Sequence, residues 1–371
     1  MKRVLEVNVD DKDFGGVFAF VMNVINNIDH KKFILDIAAF EPFEKKEHLE
    51  KVRSYGGEVY ECYSSGNFII KQCNTCYKFY KLIKHQHYTV MHVHSDVAYK
   101  LLLYGLIGRF AGVGNIIVHS HSSGVEGRLR WLKRILQKIA KLILSRKSFT
   151  KLACSKLAVE WMYTDKVNKE VEIITNGINL EKFYYDFQKK NEVRKSLGIK
   201  PTEKVIGTVA RFSFQKYPEK LLRVFYEIIK KDDNYRLLWV GEGPLRDEIV
   251  NEAQRLGVAN KIIFYGVSDE IYNLYQAMDA FVMTSRFEGL GIVVLEAQAA
   301  GVPCVCSSVI PQEVVCTDDY FPLSLEKNDI EWADKIITVS GIKKKIMDKN
   351  ERLRRYDIKY TMDMLEKYYA K

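Results

Sequence analysis

The sequence predicts an α/β protein in which doubly wound parallel sheets form two separate domains. Short apolar runs alternate with longer helical patterns along most of the chain, which is typical of parallel sheets with crossover helices. The length of 371 residues is sufficient for two domains, each with its own hydrophobic core. The polar, irregular stretch 184–191 is the predicted linker, so that residues 1–183 form the first domain and residues 192–349 form the second.

In the first half of the chain, polar candidate residues follow predicted strands. The strand Val4–Val9 leads to Gly15 and Gly16 at the start of a helix, where backbone N–H groups can meet an anion. Two later strands lead to His94 and His121. Because doubly wound sheets bind ligands beyond the carboxyl ends of their strands, we expect both histidines at one binding edge.

The stretch 128–147 predicts a basic amphipathic helix without acidic residues. The apolar residues that share one face at helical spacing are Leu132, Ile135, Leu136, Ile139 and Ile143. One interpretation packs this face into the domain core and leaves the basic face solvated. The other places the helix on an anionic membrane, where each basic residue contributes roughly 1 kcal/mol. Both apply together if the apolar face is core and only the basic face meets lipid.

The second half begins with the predicted strand 204–210, which ends at Arg211, and Lys216 follows five residues later. Two separated cations beyond a strand can clamp a pyrophosphate. They can also neutralise the negative charge that builds on a departing nucleotide. The alternative for such a pair is exposed charge without a ligand.

The stretch Phe281–Pro303 predicts a buried strand, a glycine-rich loop and a helix. The start of that helix offers unpaired N–H groups and a positive dipole end, which suit a phosphate. Glu288 precedes the turn, and Glu296 lies inside the helix, from which its side chain leans back toward the helix start. An anion site between two carboxylates predicts a phosphorylated sugar as the ligand.

The peptide EGLGIVVLEAQAAGVPCV, which begins at Glu288, resembles the signature of family 4 glycosyltransferases, retaining enzymes of the GT-B fold. The similarity is to the bacterial exopolysaccharide and capsule branch. A second peptide, ITNGINLEKF at residues 174–183, resembles the interdomain motif of this family. The resemblance implies two Rossmann-like domains that face each other across a cleft, with the C-terminal helix 350–371 joining the first domain.

The resemblance also implies roles for single residues. Glu296 would bind the donor ribose, the loop after Gly266 would run beside the nucleotide base, and His121 would hydrogen-bond the donor sugar or phosphate. The implied catalytic residues are His121, Arg211, Lys216 and Glu288. The implied donor-binding residues are Gly15, Gly16, Arg211, Lys216, Gly241, Gly266, Val267, Glu288, Gly289, Leu290, Gly291 and Glu296.

The implied reaction is a retaining transfer from a nucleotide-diphospho-sugar, expected to be UDP-linked, to a glycan or lipid-linked acceptor in surface polysaccharide biosynthesis. We expect no metal and no other cofactor, because the nucleotide-sugar is a co-substrate and the cation pair would stabilise the leaving diphosphate. Asp11 and Asp13 match the metal-binding DxD motif of glycosyltransferases of another fold. They lie on the first loop, and we interpret both as solvated.

Two other function classes stay open. A nucleotide-sugar epimerase or hydrolase could use the same scaffold, because a fold does not determine a reaction. A non-enzymatic nucleic-acid-binding protein is suggested only by the net charge of +10. This charge is concentrated on one helix that has no stacking aromatic residue beyond Trp131, so we expect no nucleic-acid partner.

The sequence also suggests where the protein is located. The chain enters a strand pattern directly with MKRVLEVNVD, contains no run of eighteen apolar residues, and has seven cysteines. We therefore expect a cytoplasmic protein, because there is no signal-peptide pattern and the cysteines fit a reducing compartment. Peripheral attachment to the inner face of the cell membrane is expected if helix 128–147 meets lipid.

Overall fold

A computed structural model describes residues 1–11, 16–124 and 130–371, and these residues form two compact units. The first unit consists of Met1–Gly177 and Ile358–Lys371, and the second of Ile178–Asp357. Each unit contains one parallel sheet with helices between its strands. The prediction of two doubly wound α/β domains is confirmed.

The first unit starts with alternating strands and helices. Its strands are β1 Lys2–Val7, β2 Phe33–Ala39, β3 Val59–Glu61, β4 Val90–Ser95, β5 Asn115–Ser120, β6 Thr150–Ala153 and β7 Glu172–Ile173. Its helices up to this point are α1 Gly16–Asn27, α2 Lys46–Ser54, α3 Phe68–Gln86, α4 Ala98–Ala111, α5 Arg130–Ser145 and α6 Lys156–Met162. The sheet order is β3-β2-β1-β4-β5-β6-β7, so the strand order reverses between β1 and β4. Sheets of this kind bind ligands beside such a reversal.

The second unit repeats the pattern. Its strands are β8 Lys204–Val209, β9 Tyr235–Val240, β10 Ile262–Gly266, β11 Ala280–Met283, β12 Cys304–Ser307 and β13 Tyr320–Leu323. Its helices are α7 Leu180–Phe183, α8 Phe187–Ser196, α9 Pro218–Lys231, α10 Arg246–Arg255, α11 Ile271–Ala277, α12 Ile292–Ala299, α13 Asp329–Val339 and α14 Glu351–Arg354. The sheet order is β10-β9-β8-β11-β12-β13, and the order reverses between β8 and β11.

The last helix, α15 Ile358–Ala370, returns to the first unit. It packs against β1 and α1, and it buries Ile358, Leu365 and Tyr369 in the core of that unit. In the second unit, the core lies between the sheet and helices α9, α10 and α13, where the rings of Phe212 and Trp239 stack at 4.5 Å. Both sheets are covered by helices, which explains why their central strands are nearly continuous apolar runs.

The compact units divide the chain at Gly177 and Asp357, whereas the predicted domains divide at 183, 192 and 350. The stretch 184–191, predicted as an irregular linker, is part of the second unit and contains the first residues of α8. The Asp186 carboxylate caps α8 by accepting from two backbone N–H groups, and the Asp186 N–H donates to the Gln276 side chain over 3.0 Å. The sequence indicates the helix cap through the aspartate itself, but it does not indicate the contact with Gln276, which lies 90 residues later. The predicted boundaries themselves stay a prediction.

One buried side chain of α12 holds the segment that follows the fifth strand of the second sheet. The Gln298 amide donates to the carbonyls of Val294 and Val314 over 3.1 and 2.7 Å. Its carbonyl accepts from the backbone N–H groups of Cys316 and Thr317 over 2.9 and 3.0 Å. Gln298 therefore supplies partners to the Val314 carbonyl and to the N–H groups of Cys316 and Thr317, which lie outside the sheet.

Replacement of Gln298 by leucine should destabilise the second unit by about 2–5 kcal/mol, because several buried backbone groups would lose their partners. Urea unfolding followed by the fluorescence of Trp239 and Trp332, both buried in this unit, measures the change. The control is Gln254→Leu on α10, an exposed site where a change within about 0.5 kcal/mol is expected. Equal stability of both variants would contradict this role of Gln298.

Candidate functional site

In the second unit, three candidate positions follow adjacent strands. Arg211 follows β8, Gly241 follows β9 and Gly266 ends β10. The Gly241 N–H donates to the Gly266 carbonyl over 2.7 Å, and Val267 follows half-buried. Gly241 has a φ of 141°, and an added Cβ would lie 2.3 Å from the Ala210 carbonyl oxygen. Only glycine allows these loops to approach each other so closely.

The loop after β8 is fastened to the loop after β11. The Arg286 N–H donates to the Gln215 carbonyl over 2.7 Å, and the Arg286 guanidinium carbon lies 3.5 Å from the centre of the Tyr217 ring. The Thr284 hydroxyl donates to the carbonyls of Lys216 and Tyr217 over 3.2 and 3.1 Å. These contacts hold the two loops on either side of the strand-order reversal as one rigid edge.

Two predicted catalytic residues meet at this edge. Lys216 Nζ donates to Glu288 Oε1 over 2.7 Å, and their side chains are only 17% and 6% exposed. The Gln215 amide also lies 3.4 Å from Glu288 Oε2 and donates to the Phe287 carbonyl over 3.0 Å. Burial of the carboxylate is tolerated because a cation and an amide share its charge. The sequence does not predict this ion pair, because Lys216 and Glu288 are 72 residues apart and no motif links them.

The predicted anion-binding helix begins directly after Gly291, which has a φ of 86°. Its residue Glu296 is buried, and Glu296 Oε2 accepts from the Tyr275 hydroxyl over 2.8 Å. Burial raises the pKa of Glu296 to about 7, although the hydrogen bond from Tyr275 opposes that rise. Sequence reasoning missed Tyr275, because it lies 21 residues earlier on α11 and no motif marks it.

In the first unit, His94 and His121 are neighbours at the carboxyl edge of the sheet. His94 Nδ1 lies 2.9 Å from His121 Nε2, and His94 Nε2 lies 2.6 Å from Glu6 Oε2. The other oxygen of Glu6 accepts from the Tyr369 hydroxyl over 2.7 Å. His92 also joins this cluster, with its Nδ1 lying 2.7 Å from the Tyr369 hydroxyl. Glu6 could have been noticed as the one charged residue inside the apolar run of β1 after Arg3.

The first loop of the chain differs from the sequence interpretation. Asp11 is buried, not solvated. Its carboxylate accepts from the N–H groups of Glu44 and Lys45 over 2.7 and 2.9 Å, and it lies 3.0 Å from His48 Nδ1. Asp11 therefore fixes the approach to α2, a long-range role that the DxD spacing does not reveal.

The two glycines proposed for this first loop have separate outcomes. Gly16 is the first residue of α1, and an added Cβ would meet nothing within 4 Å. Asp13 and Gly15 lie outside the described residues. The structure thus places Gly16 at a helix start, as the sequence predicted, without a steric need for glycine at that position.

Residues 189–359 match the family model of group 1 glycosyl transferases. The match lies almost wholly within the second unit. The predicted enzyme class, a glycosyltransferase, is confirmed. The glycosyltransferase EpsF of Bacillus subtilis is 28% identical to this chain over 319 residues. The aligned region covers 84% of this chain and 81% of EpsF. The Escherichia coli UDP-Gal:alpha-D-GlcNAc-diphosphoundecaprenol alpha-1,3-galactosyltransferase is 27% identical over 299 residues, covering 76% of this chain and 75% of that enzyme.

The fold of this glycosyltransferase agrees with solved structures. The crystal structure of HepE from Anabaena in complex with UDP and glucose matches over 100% of both chains, with a TM-score of 0.79 and 17% identity. At that identity the similarity describes the fold alone. The glycosyltransferase has the GT-B fold that the signature peptide implied.

The basic helix α5 of the glycosyltransferase presents its apolar side to solvent. The large apolar residues exposed along it are Trp131, Leu132, Ile135, Leu136, Ile139, Leu142 and Ile143. The opposite side packs on the unit through Gln137, Ala140 and Leu144, which are buried. The Gln137 side chain accepts from the Ala98 N–H over 2.6 Å and donates to the Trp161 carbonyl over 3.1 Å.

The interpretation that this apolar face packs into the core is therefore wrong, and so is the combined interpretation with a core face and a lipid-facing basic face. The physical reason is that Gln137 finds two backbone partners inside the unit, so the narrow face that contains Gln137, Ala140 and Leu144 docks instead. Residues 128 and 129 of the predicted helix lie outside the described residues. Within the described ranges, no helix has the length and apolar content required to cross a membrane.

The raised pKa of Glu296 makes stability depend on pH. The unfolded chain releases this proton near the ordinary pKa of 4.5, whereas the folded protein retains it until about pH 7. The contribution of Glu296 to the stability of the wild type therefore falls as the pH rises between these values, and no further above them. Relative to wild type, Glu296→Gln should gain about 1–3 kcal/mol of unfolding free energy from pH 5 to pH 7, and then stay level.

Urea unfolding at intervals between pH 5 and pH 8 measures this difference. The matched control is Glu248→Gln on α10, an exposed carboxyl of the same unit whose profile should run parallel to wild type. A parallel profile for Glu296→Gln as well would show that burial does not hold a proton on this carboxyl.

Proposed function

We propose that this glycosyltransferase transfers a sugar from a UDP-linked donor to a glycan or lipid-linked acceptor of a surface polysaccharide, with retention of configuration and without a metal ion. The observation that carries the proposal is the rigid edge of the second unit. There, Arg211, the Lys216–Glu288 pair and the start of α12 follow the two strands at the reversal. Related proteins support it, because HepE was crystallised with UDP-glucose and the E. coli relative is a UDP-galactose enzyme with a diphosphoundecaprenol-linked substrate.

The Lys216–Glu288 pair suits a site that receives an anion together with a sugar. An incoming diphosphate carries enough negative charge to attract Lys216 away from a single carboxylate. Glu288 then keeps lone pairs that can accept from sugar hydroxyls. Before the donor binds, the ion pair therefore holds the Lys216 ammonium and the Glu288 carboxylate in position and balances their charges.

The proposed chemistry needs no enzyme nucleophile. The bond between the anomeric carbon and the diphosphate oxygen breaks, and Arg211 and Lys216 neutralise the charge that develops on that oxygen. The acceptor hydroxyl attacks the same face of the sugar and forms the new glycosidic bond. Its proton passes to the departing diphosphate oxygen, so that the products are the glycoside and UDP.

Glu296 fits a different contact. A carboxyl with a pKa near 7 accepts through its free oxygen or donates, depending on the hydroxyl that it meets. The Tyr275 hydroxyl occupies Oε2 and leaves the second oxygen for a ribose hydroxyl. The epimerase or hydrolase alternative is not favoured by the related proteins, which are transferases. An assay with donor alone separates it, because an epimerase converts the donor without acceptor.

We further propose that α5 attaches the enzyme to an anionic bilayer. Its exposed apolar stripe is long enough to enter the headgroup region along the membrane surface, and its exposed cations include Arg134 and Lys138. A contiguous apolar surface of this kind is unusual on a protein that meets only water. A lipid-linked acceptor would be reached from this position.

UDP should stabilise the protein in a thermal-shift titration, with GDP and ADP weaker and with no dependence on Mg²⁺. At 100 times its Kd, a ligand adds about 2.7 kcal/mol of apparent stability. Arg211→Ala should reduce this shift and lower kcat by about 10²–10³-fold, because a charge-stabilising contact to the leaving group is lost. UDP release from UDP-glucose, UDP-galactose and UDP-N-acetylglucosamine, with N-acetylglucosamine-diphosphoundecaprenol as acceptor, gives kcat.

The control for Arg211→Ala is Arg255→Ala on α10, an exposed arginine that pairs with Glu252, where kcat should not change. A near-normal kcat for Arg211→Ala would rule out its proposed role. An unchanged melting temperature with every nucleotide would contradict the donor site as a whole.

Ile139→Glu should weaken co-sedimentation with vesicles that contain phosphatidylglycerol by at least tenfold, because a charge would enter the apolar stripe. Ile139 is 53% exposed, so its replacement should leave the fold intact. Ile330→Glu on α13 is the control. Ile330 is similarly exposed, at 50%, and it belongs to the second unit, whereas α5 belongs to the first. Equal binding of both variants, or of wild type to neutral vesicles alone, would contradict membrane attachment through α5.

A further inference from the structure

A buried carboxylate polarises the histidine cluster of the first unit. Glu6 is 1% exposed and lies on β1 beside His92 of β4. Its Oε1 accepts from the Tyr369 hydroxyl over 2.7 Å, and its Oε2 lies 2.6 Å from His94 Nε2. Burial alone would raise the pKa of Glu6, but its contacts with His92 and His94 outweigh burial and hold that pKa well below the ordinary value. Glu6 is therefore an ionised acceptor that cannot donate.

The polarity of one carboxylate fixes the protons along a chain of two rings. His94 Nε2 must carry a hydrogen, because it faces a carboxylate oxygen at 2.6 Å. In a neutral imidazole the other nitrogen, His94 Nδ1, is then a lone pair. His121 Nε2 lies 2.9 Å from that lone pair and must donate to it. His121 Nδ1 is left as an acceptor.

The rings of this chain are neutral near pH 7. Burial and the neighbouring His92 lower the pKa of His94 to about 4. Burial and the nearby His94 also hold the pKa of His121 well below its ordinary value. Within residues 1–11, 16–124 and 130–371, His121 Nδ1 makes no hydrogen bond, although it is covered from solvent. A covered acceptor without a partner is costly, which suggests that a ligand supplies the hydrogen.

We propose that Glu6 and His94 are positioning residues that hold His121 in its Nε2–H form, so that its Nδ1 accepts from a substrate hydroxyl and does not donate to a phosphate oxygen. This rests on the proposed function only for the identity of the hydroxyl, which belongs to the donor sugar or to the acceptor. The family resemblance implied that His121 hydrogen-bonds either the donor sugar or the phosphate. The proposal limits its partner to a hydroxyl group. Neither Glu6 nor His94 touches substrate in this arrangement.

A second branch leaves the same carboxylate and supplies an internal control. The Tyr369 hydroxyl, which donates to Glu6, lies 2.7 Å from His92 Nδ1, and His92 Nε2 lies 3.1 Å from His119 Nδ1. This branch ends at His119 and does not include His121. Tyr369→Phe therefore removes one hydrogen bond to Glu6 but leaves its charge and the branch to His121 unchanged.

The first test measures the tautomer of His121 in the wild-type enzyme without any substrate. Nitrogen-15 NMR of histidine-labelled protein between pH 6 and pH 8 should show a pyrrole-type Nε2 and a pyridine-type Nδ1 for His121. The opposite tautomer, or an imidazolium, would overturn the proposal. So would a metal ion in the purified protein, because the nitrogens of His92, His94 and His119 lie within 4.8 Å of one another and ligation would consume the lone pairs of the chain.

The second test changes the carboxylate. In Glu6→Leu no acceptor oxygen remains to face His94 Nε2, whereas a glutamine could keep its carbonyl oxygen toward His94 and turn its NH2 group to the Tyr369 hydroxyl. The Nδ1–H form of His121 should then appear in the spectrum, and kcat/KM should fall by about 10–100-fold. Tyr369→Phe should keep the wild-type tautomer and most of the activity. An unchanged tautomer in Glu6→Leu would overturn the relay.

The third test separates positioning from a general loss of structure. In a His121→Ala background, Glu6→Leu should cost no further activity, because its effect acts through His121. Equal losses with and without His121 would overturn the proposal. His121→Ala should also leave the Kd for UDP unchanged while it raises KM for UDP-glucose, UDP-galactose or UDP-N-acetylglucosamine if the hydroxyl is on the donor, and KM for the acceptor otherwise. A weaker Kd for UDP itself would mean that His121 contacts phosphate.

Discussion

The cost of burying a negative charge shapes the first unit around Glu6. A carboxylate at the centre of a sheet is tolerated only where donors satisfy its oxygens. Those donors come from β4, through His94, and from the last helix of the chain, through Tyr369. The first strand and α15 are therefore joined by a polar contact as well as by the apolar core, which explains why residues so distant in sequence belong to one unit.

The second unit treats its two buried carboxyl groups differently. Glu288 keeps a lysine at 2.7 Å, so its negative charge is balanced. Glu296 accepts from the neutral Tyr275 hydroxyl, and burial raises its pKa to about 7. Glu288 forms an ion pair, whereas Glu296 keeps its proton up to about pH 7. The two residues are close in sequence, because Glu288 lies in the loop before α12 and Glu296 lies in α12. The difference comes from their partners, because both side chains are almost fully buried.

Sequence patterns predicted the fold, which is confirmed, and they predicted candidate site residues, but they did not predict the hydrogen-bond partners of those residues. Strand ends, glycine turns and helix starts are local patterns, and they placed Arg211, Glu288 and the start of α12 at one sheet edge. The hydrogen bonds of Tyr275 and Tyr369 depend on packing between distant segments, which leaves no local pattern. The periodicity of α5 likewise predicts an apolar face and a basic face, but it does not predict which side of the helix packs on the unit. That side contains Gln137, whose backbone partners on Ala98 and Trp161 are brought to it only by folding.

The candidate residues of the second unit include two cations, whereas the histidine chain of the first unit is neutral. Phosphate oxygens need cations, and the second unit places Arg211 and Lys216 beside its sheet. A charged histidine in the first unit would donate from both of its ring nitrogens and could not accept from a hydroxyl. Burial of the ring chain in an apolar surrounding removes that charge, and Glu6 orients the remaining proton. A single buried carboxylate thereby turns an ambiguous ring, able to donate or accept, into a defined acceptor for a hydroxyl group.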